Sequence, residues 1–175
     1  RNNLLKLSKQ NLDKRMNGKT GIDMRYSKKT AWKKDNKRVL KKSNKIKILI
    51  ATHCFFDSPN GLGDNLFPDF YEWICFLAKI SNKTDYDWYI KAHPDFLEGN
   101  EKIIKELSKK FKNITILKSN ISHHSIIRDK INFILTVYGS VGIEYAYKGK
   151  YVINASKNNP SINYNFNFNP LKIEW

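Results

Sequence analysis

From residue 46 onward, short apolar runs alternate with segments whose apolar residues recur at helical spacing. "KIKILIATHCFF" and "YDWYIKAH" are typical of buried strands, whereas "LFPDFYEWICFLAKIS" and "GNEKIIKELSKKF" have the three- and four-residue spacing of helices. The alternation continues through "NITILK", "SHHSIIRD", "INFILTVY", "SVGIEYAYKG" and "YVINAS". This order, β-α-β-α-β-α-β-α-β with short connections, predicts an α/β fold: a Rossmann-like parallel sheet with helices on both faces.

Polar residues follow the predicted strands at the points where those strands end. In parallel α/β sheets, ligands bind at the carboxyl ends of the strands. The polar residues at these ends are His53, Asp57, His93, Ser122, His123, Ser140, Glu144, Ser156 and Asn158. Because the carboxyl ends of parallel strands share one edge of the sheet, the sequence predicts that these loops converge on a single site.

The stretch "FILTVYGSVGIEYAYKG" predicts a strand that turns into a helix at a Gly-Ser corner. Unpaired backbone N–H groups at such a corner, together with the helix dipole, favour phosphate or another anion. Gly139, Val141 and Gly142 would line this turn, and the two glycines would allow a ligand to approach closely. The Ser140 hydroxyl would donate to the anion or, alternatively, cap the helix. Glu144 would accept from ribose hydroxyls or complement the helix dipole.

A second candidate group lies in "WYIKAHPD", where Pro94 ends a predicted central strand. Lys91 and His93 would bind phosphate oxygens, and His93 would also donate a proton to a leaving phosphate. The alternative for His93 is a structural histidine that is hydrogen-bonded to a neighbouring loop.

The loop "DSPNGLGDN" resembles a dinucleotide fingerprint only weakly, because Leu66 stands where the third glycine would be. The sequence contains no G-x-x-x-x-G-K-[ST] motif. We therefore expect this loop to line a cleft, with Asp57 and His53 as polar contacts. His123 and His124 are adjacent and poorly spaced for one metal ion, so we predict neither a metal site nor a cofactor.

The formal net charge of +16 is concentrated at one end of the 175-residue chain. Residues 1–47 contain 17 Lys and Arg against 3 Asp and Glu, whereas residues 48–175 carry a net charge of only +2. This asymmetry predicts a basic, partly helical N-terminal arm over residues 1–45, followed by one domain over 46–175. The arm would be solvated or docked on a partner, or would bind anionic lipid headgroups. Nucleic acid ranks last, because no nucleic-acid-binding module accompanies the charge.

Taken together, these motifs resemble the C-terminal half of bacterial capsule and surface-polysaccharide glycosyltransferases. These are GT-B proteins, and they resemble Kdo-transferring and polysialic-acid-synthesising enzymes. The resemblance covers roughly residues 48–158 and depends on "H-x-F-x-D-x-P-N", "LFPDFYEW", "WYIKAHPD" and "TVYGSVGIEYAYKGKYVINA".

The resemblance implies a nucleotide-sugar-binding domain, plausibly for a CMP-linked acid sugar, with His93 and Ser140 as catalytic residues that hold the donor phosphate. It also implies a polysaccharide or glycolipid acceptor and a separate N-terminal acceptor domain. Because the chain does not begin with Met, we expect it to be a piece of a larger protein. Two cysteines, interpreted as buried reduced thiols, favour the cytoplasm. The basic arm would allow peripheral binding to the inner face of the cytoplasmic membrane.

Two alternatives remain open on the sequence. One is a teichoic-acid-type glycerophosphotransferase that uses a CDP-linked alcohol, whose His-Pro and Ser loops look similar. The other is a noncatalytic docking module whose basic arm binds a membrane.

Overall fold

A computed structural model describes residues 2–22, 28–56, 61, 63–94 and 99–170 of the chain. Its strands are β1 (Lys47–Ala51), β2 (Asp87–Lys91), β3 (Ile114–Leu117), β4 (Phe133–Thr136), β5 (Tyr151–Asn154) and β6 (Asn167–Phe168). Its helices are α1 (Asn2–Met16), α2 (Phe70–Ser81), α3 (Asn100–Lys110), α4 (His123–Arg128) and α5 (Val141–Tyr147). In the described part of the chain, no helix combines the length and apolar character needed to cross a bilayer.

The six strands form one parallel sheet in the order β3-β2-β1-β4-β5-β6. This confirms the predicted α/β architecture. The strand β6 was not predicted, because two residues are too few to show a period. The helix α2 begins at Phe70 rather than at Leu66, because the Asp69 side chain accepts a hydrogen bond from the Glu72 N–H at 2.8 Å and caps it.

Alternate residues of the strands enter two cores, one on each face of the sheet. On one face, Ile48 and Ile50 of β1 pack with residues of α2 and α3. On the other face, Leu49 and Ala51 pack with residues of α4 and α5. The helices therefore cover both faces, which is why the strands are apolar throughout rather than alternating.

The N-terminal segment, residues 2–22 and 28–46, contributes to the second core. Met16, Trp32 and Leu40 are buried there, and Trp32 is only 2% exposed. The first turns of α1 differ, since Leu4 and Leu5 are 69% and 63% exposed. An arm separate from the domain is thus not confirmed, because Met16, Trp32 and Leu40 pack against the sheet and α4.

Polar side chains of α4 and its flanks hold the backbone of this segment. The Ser125 hydroxyl donates to the Asp35 carbonyl at 2.9 Å. Asp129 accepts from the backbone N–H groups of Val39 and Leu40, at 2.6 and 3.0 Å. Burial raises the pKa of Asp129, but these two hydrogen bonds, together with the charges of Arg128 and Arg38, leave the pKa below its ordinary value.

Gly18 fixes the turn that follows α1. Its φ is +87°, and a Cβ there would lie 2.8 Å from the Trp32 carbonyl oxygen. We expect Gly18→Ala to lower the free energy of unfolding by about 2 kcal/mol, because the left-handed backbone and the backbone clash both penalise the side chain. Chemical denaturation would measure the change.

Gly21→Ala is the matched control for this prediction. Gly21 has a φ of +72°, but a Cβ there would have no other atom within 4 Å. It should therefore cost about 1 kcal/mol, from the backbone conformation alone. Equal losses in the two variants would contradict the close packing of Gly18 against the Trp32 backbone.

Candidate functional site

The sheet has a topological switch point between β1 and β4. The chain leaves β1 toward α2 on one face and leaves β4 toward α5 on the other. Where the connections that follow two neighbouring strands run to opposite faces of the sheet, a crevice forms outside the carboxyl ends of those strands. Ligands of open α/β sheets bind there. Those predicted site residues that the structure describes lie at or near this edge.

His53 follows the end of β1 and contacts the end of β4 at the switch point. Its Nε2 accepts from the Tyr138 N–H at 3.3 Å and lies 3.2 Å from Thr136 Oγ1, while its ring stacks on Phe70. Burial, and after it the charge on His93, lower the pKa of His53 to about 4. His53 is therefore a neutral imidazole engaged by protein groups, packed so closely that a Cβ on Gly139 would lie 3.3 Å from its Cε1.

Lys91 is a buried ammonium group at the carboxyl end of β2. It is 3% exposed, and its Nζ donates to the Ser119 carbonyl at 2.8 Å. No described carboxylate lies within 4.0 Å of it. The pKa of Lys91 is lowered to about 8, mainly by burial. The charge of Glu144 opposes this shift, and the charge of Lys33 adds to it. Because this pKa lies above 7, Lys91 is mostly charged at pH 7.

Two histidines, one exposed and one buried, lie at this edge. His93 is exposed, and its charge lowers the pKa values of both His53 and His123. His123 is buried, with Nδ1 2.7 Å from the Tyr145 hydroxyl. Burial, followed by the charge of Lys91, holds the pKa of His123 well below its ordinary value. His123 is therefore neutral near pH 7.

The Gly-Ser corner begins α5, as the sequence predicts. The Ser140 hydroxyl makes no capping bond to the helix but accepts from Arg15 Nη2 at 2.7 Å. Gly142 is buried against β5, where a Cβ would lie 3.2 Å from Val152 Cγ1, and Val141 packs at the edge of the second core. The space that the glycines leave is thus used by neighbouring protein atoms.

Glu144 lies one turn beyond Ser140 and is 3% exposed. Its Oε1 accepts from Arg15 Nε, and its Oε2 accepts from the Trp32 indole N–H at 2.8 Å. Both carboxylate oxygens are therefore engaged by the N-terminal segment, where the sequence suggested ribose hydroxyls or the helix dipole as partners.

Arg15 and Trp32 are the two residues at this edge that sequence reasoning missed. The Trp32 ring packs on His123 and Tyr145, with centroid distances of 5.0 and 6.0 Å. The tryptophan in this lysine-rich stretch could have indicated such packing, because tryptophan side chains are seldom fully exposed to solvent.

Lys91, His93, His123 and Glu144 are close enough for their charges to act on at least one other member of the group, and Ser140 lies one turn before Glu144. We call these five residues the edge cluster. Asp57 lies outside the described residues. Two small cavities lie elsewhere: one, with about 10 Å³ of space, lies under α3, and the other is lined by Phe67, Trp73 and neighbours. Neither is lined by the edge cluster, three of whose members, Lys91, His123 and Glu144, are buried. Within the described ranges, no group of three His, Cys, Asp or Glu side chains is placed to hold a metal ion.

Comparison with protein-family models, with curated proteins and with solved structures finds no match for this chain. Any function must therefore be argued from the residues of the edge cluster and their surroundings.

Proposed function

We propose that this chain is the nucleotide-sugar-binding domain, with a CMP-sugar as the first candidate donor, of a glycosyltransferase that builds a bacterial capsule or surface polysaccharide. The anionic part of the donor would bind at the edge cluster. The acceptor, a polysaccharide or glycolipid, would be held by a further domain, as the sequence resemblance implies.

The observation that supports this proposal most directly is the buried ammonium group of Lys91. Removing a charge from water costs several kcal/mol unless a partner of opposite charge and hydrogen bonds compensate. An ammonium has three donors, and one of them is used by the Ser119 carbonyl. A phosphate oxygen at Nζ would supply a negative charge at ion-pair distance, which no described carboxylate does, at the edge of the sheet where ligands of this fold bind.

The neighbouring residues would then have separate roles. His93 would donate to the departing nucleotide phosphate, and the Ser140 corner would stabilise the charge that develops on it. Such stabilisation by groups already held in position is usually a major part of catalysis. Membrane contact through residues 1–45 stays a prediction, for which Leu4, Leu5 and Leu7 are the exposed apolar residues.

Titration calorimetry with CMP, CDP and UDP tests the proposal. We expect saturable binding of one nucleotide, and an affinity about thirtyfold lower for Lys91→Met, because one charge-assisted hydrogen bond is lost. His93→Ala and Ser140→Ala should also weaken binding. Methionine suits the buried position of Lys91, so the variant should fold.

Lys79→Met is the matched control, since Lys79 is exposed near the end of α2. It should bind like the wild type. Wild-type affinity should also fall as pH rises above about 8, as Lys91 loses its proton, and this fall should be absent from Lys91→Met. Absence of saturable nucleotide binding, or equal affinity in Lys91→Met and the wild type, would refute the proposal.

The glycerophosphotransferase alternative also requires a site for a nucleotide phosphate, so nucleotide titration alone does not separate it from the glycosyltransferase. Transfer assays on the longer protein, with a CDP-linked alcohol and a CMP-linked sugar offered separately, would decide between them. Transfer from the CDP-linked alcohol alone would replace the glycosyltransferase assignment.

A further inference from the structure

Arg15 reaches the candidate site from a distant part of the chain. It lies in the last turn of α1, and its Nη2 donates to the Ser140 hydroxyl at 2.7 Å, 125 positions away in the sequence. Its Nε donates to Glu144. The guanidinium group therefore lies at the start of α5, where the sequence predicted an anion.

The end of α1 is held in this place by independent contacts. Met16, the next residue, is 3% exposed in the second core. The Nε2–H of His124 donates to the Met16 carbonyl at 2.7 Å. The turn beyond it approaches the Trp32 backbone at Gly18. Arg15 is thus positioned by packing on both sides, and its presence at the edge does not depend on the Glu144 ion pair alone.

Among the described residues, several cations lie near this edge. Arg15 and Lys91 are positive, and Lys33 is close enough to lower the pKa of Lys91, while Glu144 is the described carboxylate that raises it. Glu144 is in direct contact with Arg15. A guanidinium presents five N–H donors in a planar fork that matches phosphate oxygens, which an ammonium cannot do.

We propose that Arg15 binds the phosphoryl group of the nucleotide together with Lys91, so that the N-terminal segment forms one wall of the binding site. Glu144 acts as a positioning residue that orients the guanidinium toward Ser140. The nucleotide part of this inference rests on the proposed function, whereas recognition of a phosphoryl group rests on the contacts of Arg15 and the burial of Lys91.

The experiment measures the dissociation constants of CMP, cytidine and inorganic pyrophosphate by NMR titration. The proteins are the wild type, Arg15→Ala, Arg15→Gln and the control Lys14→Ala. Lys14 is the exposed neighbour of Arg15 on α1, so its variant loses the same charge from the same helix. Arg15→Gln can still donate to Glu144, and it keeps the test informative if alanine loosens α1.

We expect both Arg15 variants to bind CMP and pyrophosphate about thirtyfold more weakly, with cytidine affinity unchanged. Lys14→Ala should change CMP affinity less than about twofold. A merely structural arginine would instead weaken CMP and cytidine equally, and that result, or wild-type affinity in both Arg15 variants, overturns the inference.

The binding of pyrophosphate distinguishes failure of this inference from failure of the proposed function. Arg15-dependent binding of pyrophosphate without binding of any nucleotide would support the phosphoryl site and refute the nucleotide assignment. Failure of the wild type to bind either pyrophosphate or a nucleotide would refute both.

Discussion

Glu144→Ala is expected to lower the free energy of unfolding by about 3 kcal/mol, because it removes a buried carboxylate from two partners at once. The substitution leaves the Arg15 guanidinium without its ion pair and the Trp32 indole N–H without its acceptor. Chemical denaturation followed by tryptophan fluorescence measures the loss. Because the partners belong to the N-terminal segment, tryptic cleavage near Lys28 should also become faster.

Glu106→Ala is the control for this prediction, since Glu106 is an exposed acid on α3. Its effect should stay within about 0.5 kcal/mol of zero. Glu144→Gln keeps the shape of the side chain and should cost less than Glu144→Ala. If Glu144→Ala unfolds like Glu106→Ala, then Glu144 does not anchor the N-terminal segment.

Acidification from pH 7 to pH 4 is expected to lower the free energy of unfolding by about 3 kcal/mol through His53 alone. Burial lowers the pKa of His53 to about 4 in the folded protein, against 6.5 in the unfolded chain. Between these values the unfolded state binds more protons, so stability falls as pH falls through this window. Protonation would also remove the Nε2 lone pair that accepts from the Tyr138 N–H.

Denaturation curves between pH 4 and pH 7, for the wild type and for His53→Gln, measure this effect. Glutamine can still accept from the Tyr138 N–H but does not titrate, so the variant should lose about 3 kcal/mol less over the range. His123, whose pKa is lowered in the same direction, contributes equally to both proteins and cancels in the difference. Parallel curves for the two proteins would show that His53 is not held neutral by the fold.

The alternation of strands and helices could be predicted because its causes are local. A strand shows period two or a short apolar run, a helix shows period 3.6, and both can be recognised within about a dozen residues. The carboxyl-edge positions of Lys91, His93 and Ser140 follow from that alternation, because parallel strands end at a common edge. The helix bounds were less accurate, since α2 begins only where Asp69 caps it.

The engagement of Glu144 could not be predicted in this way. Its partners, Arg15 and Trp32, are 129 and 112 positions away. Lysine-rich composition around them is typical of a solvated arm, and composition carries no information about which arginine is placed against a buried carboxylate. His53 is similar, because its neutral state depends on Phe70 and Tyr138 closing around it.

The sequence by itself determined the doubly covered parallel sheet and the edge at which polar loops converge. Only the tertiary structure decided that the N-terminal segment packs along α4, that Arg15 lies beside Ser140, and that Lys91 is buried without a described carboxylate at ion-pair distance. The physical reason is range: backbone periodicity acts between near neighbours, whereas ion pairing and burial depend on residues that only folding brings together.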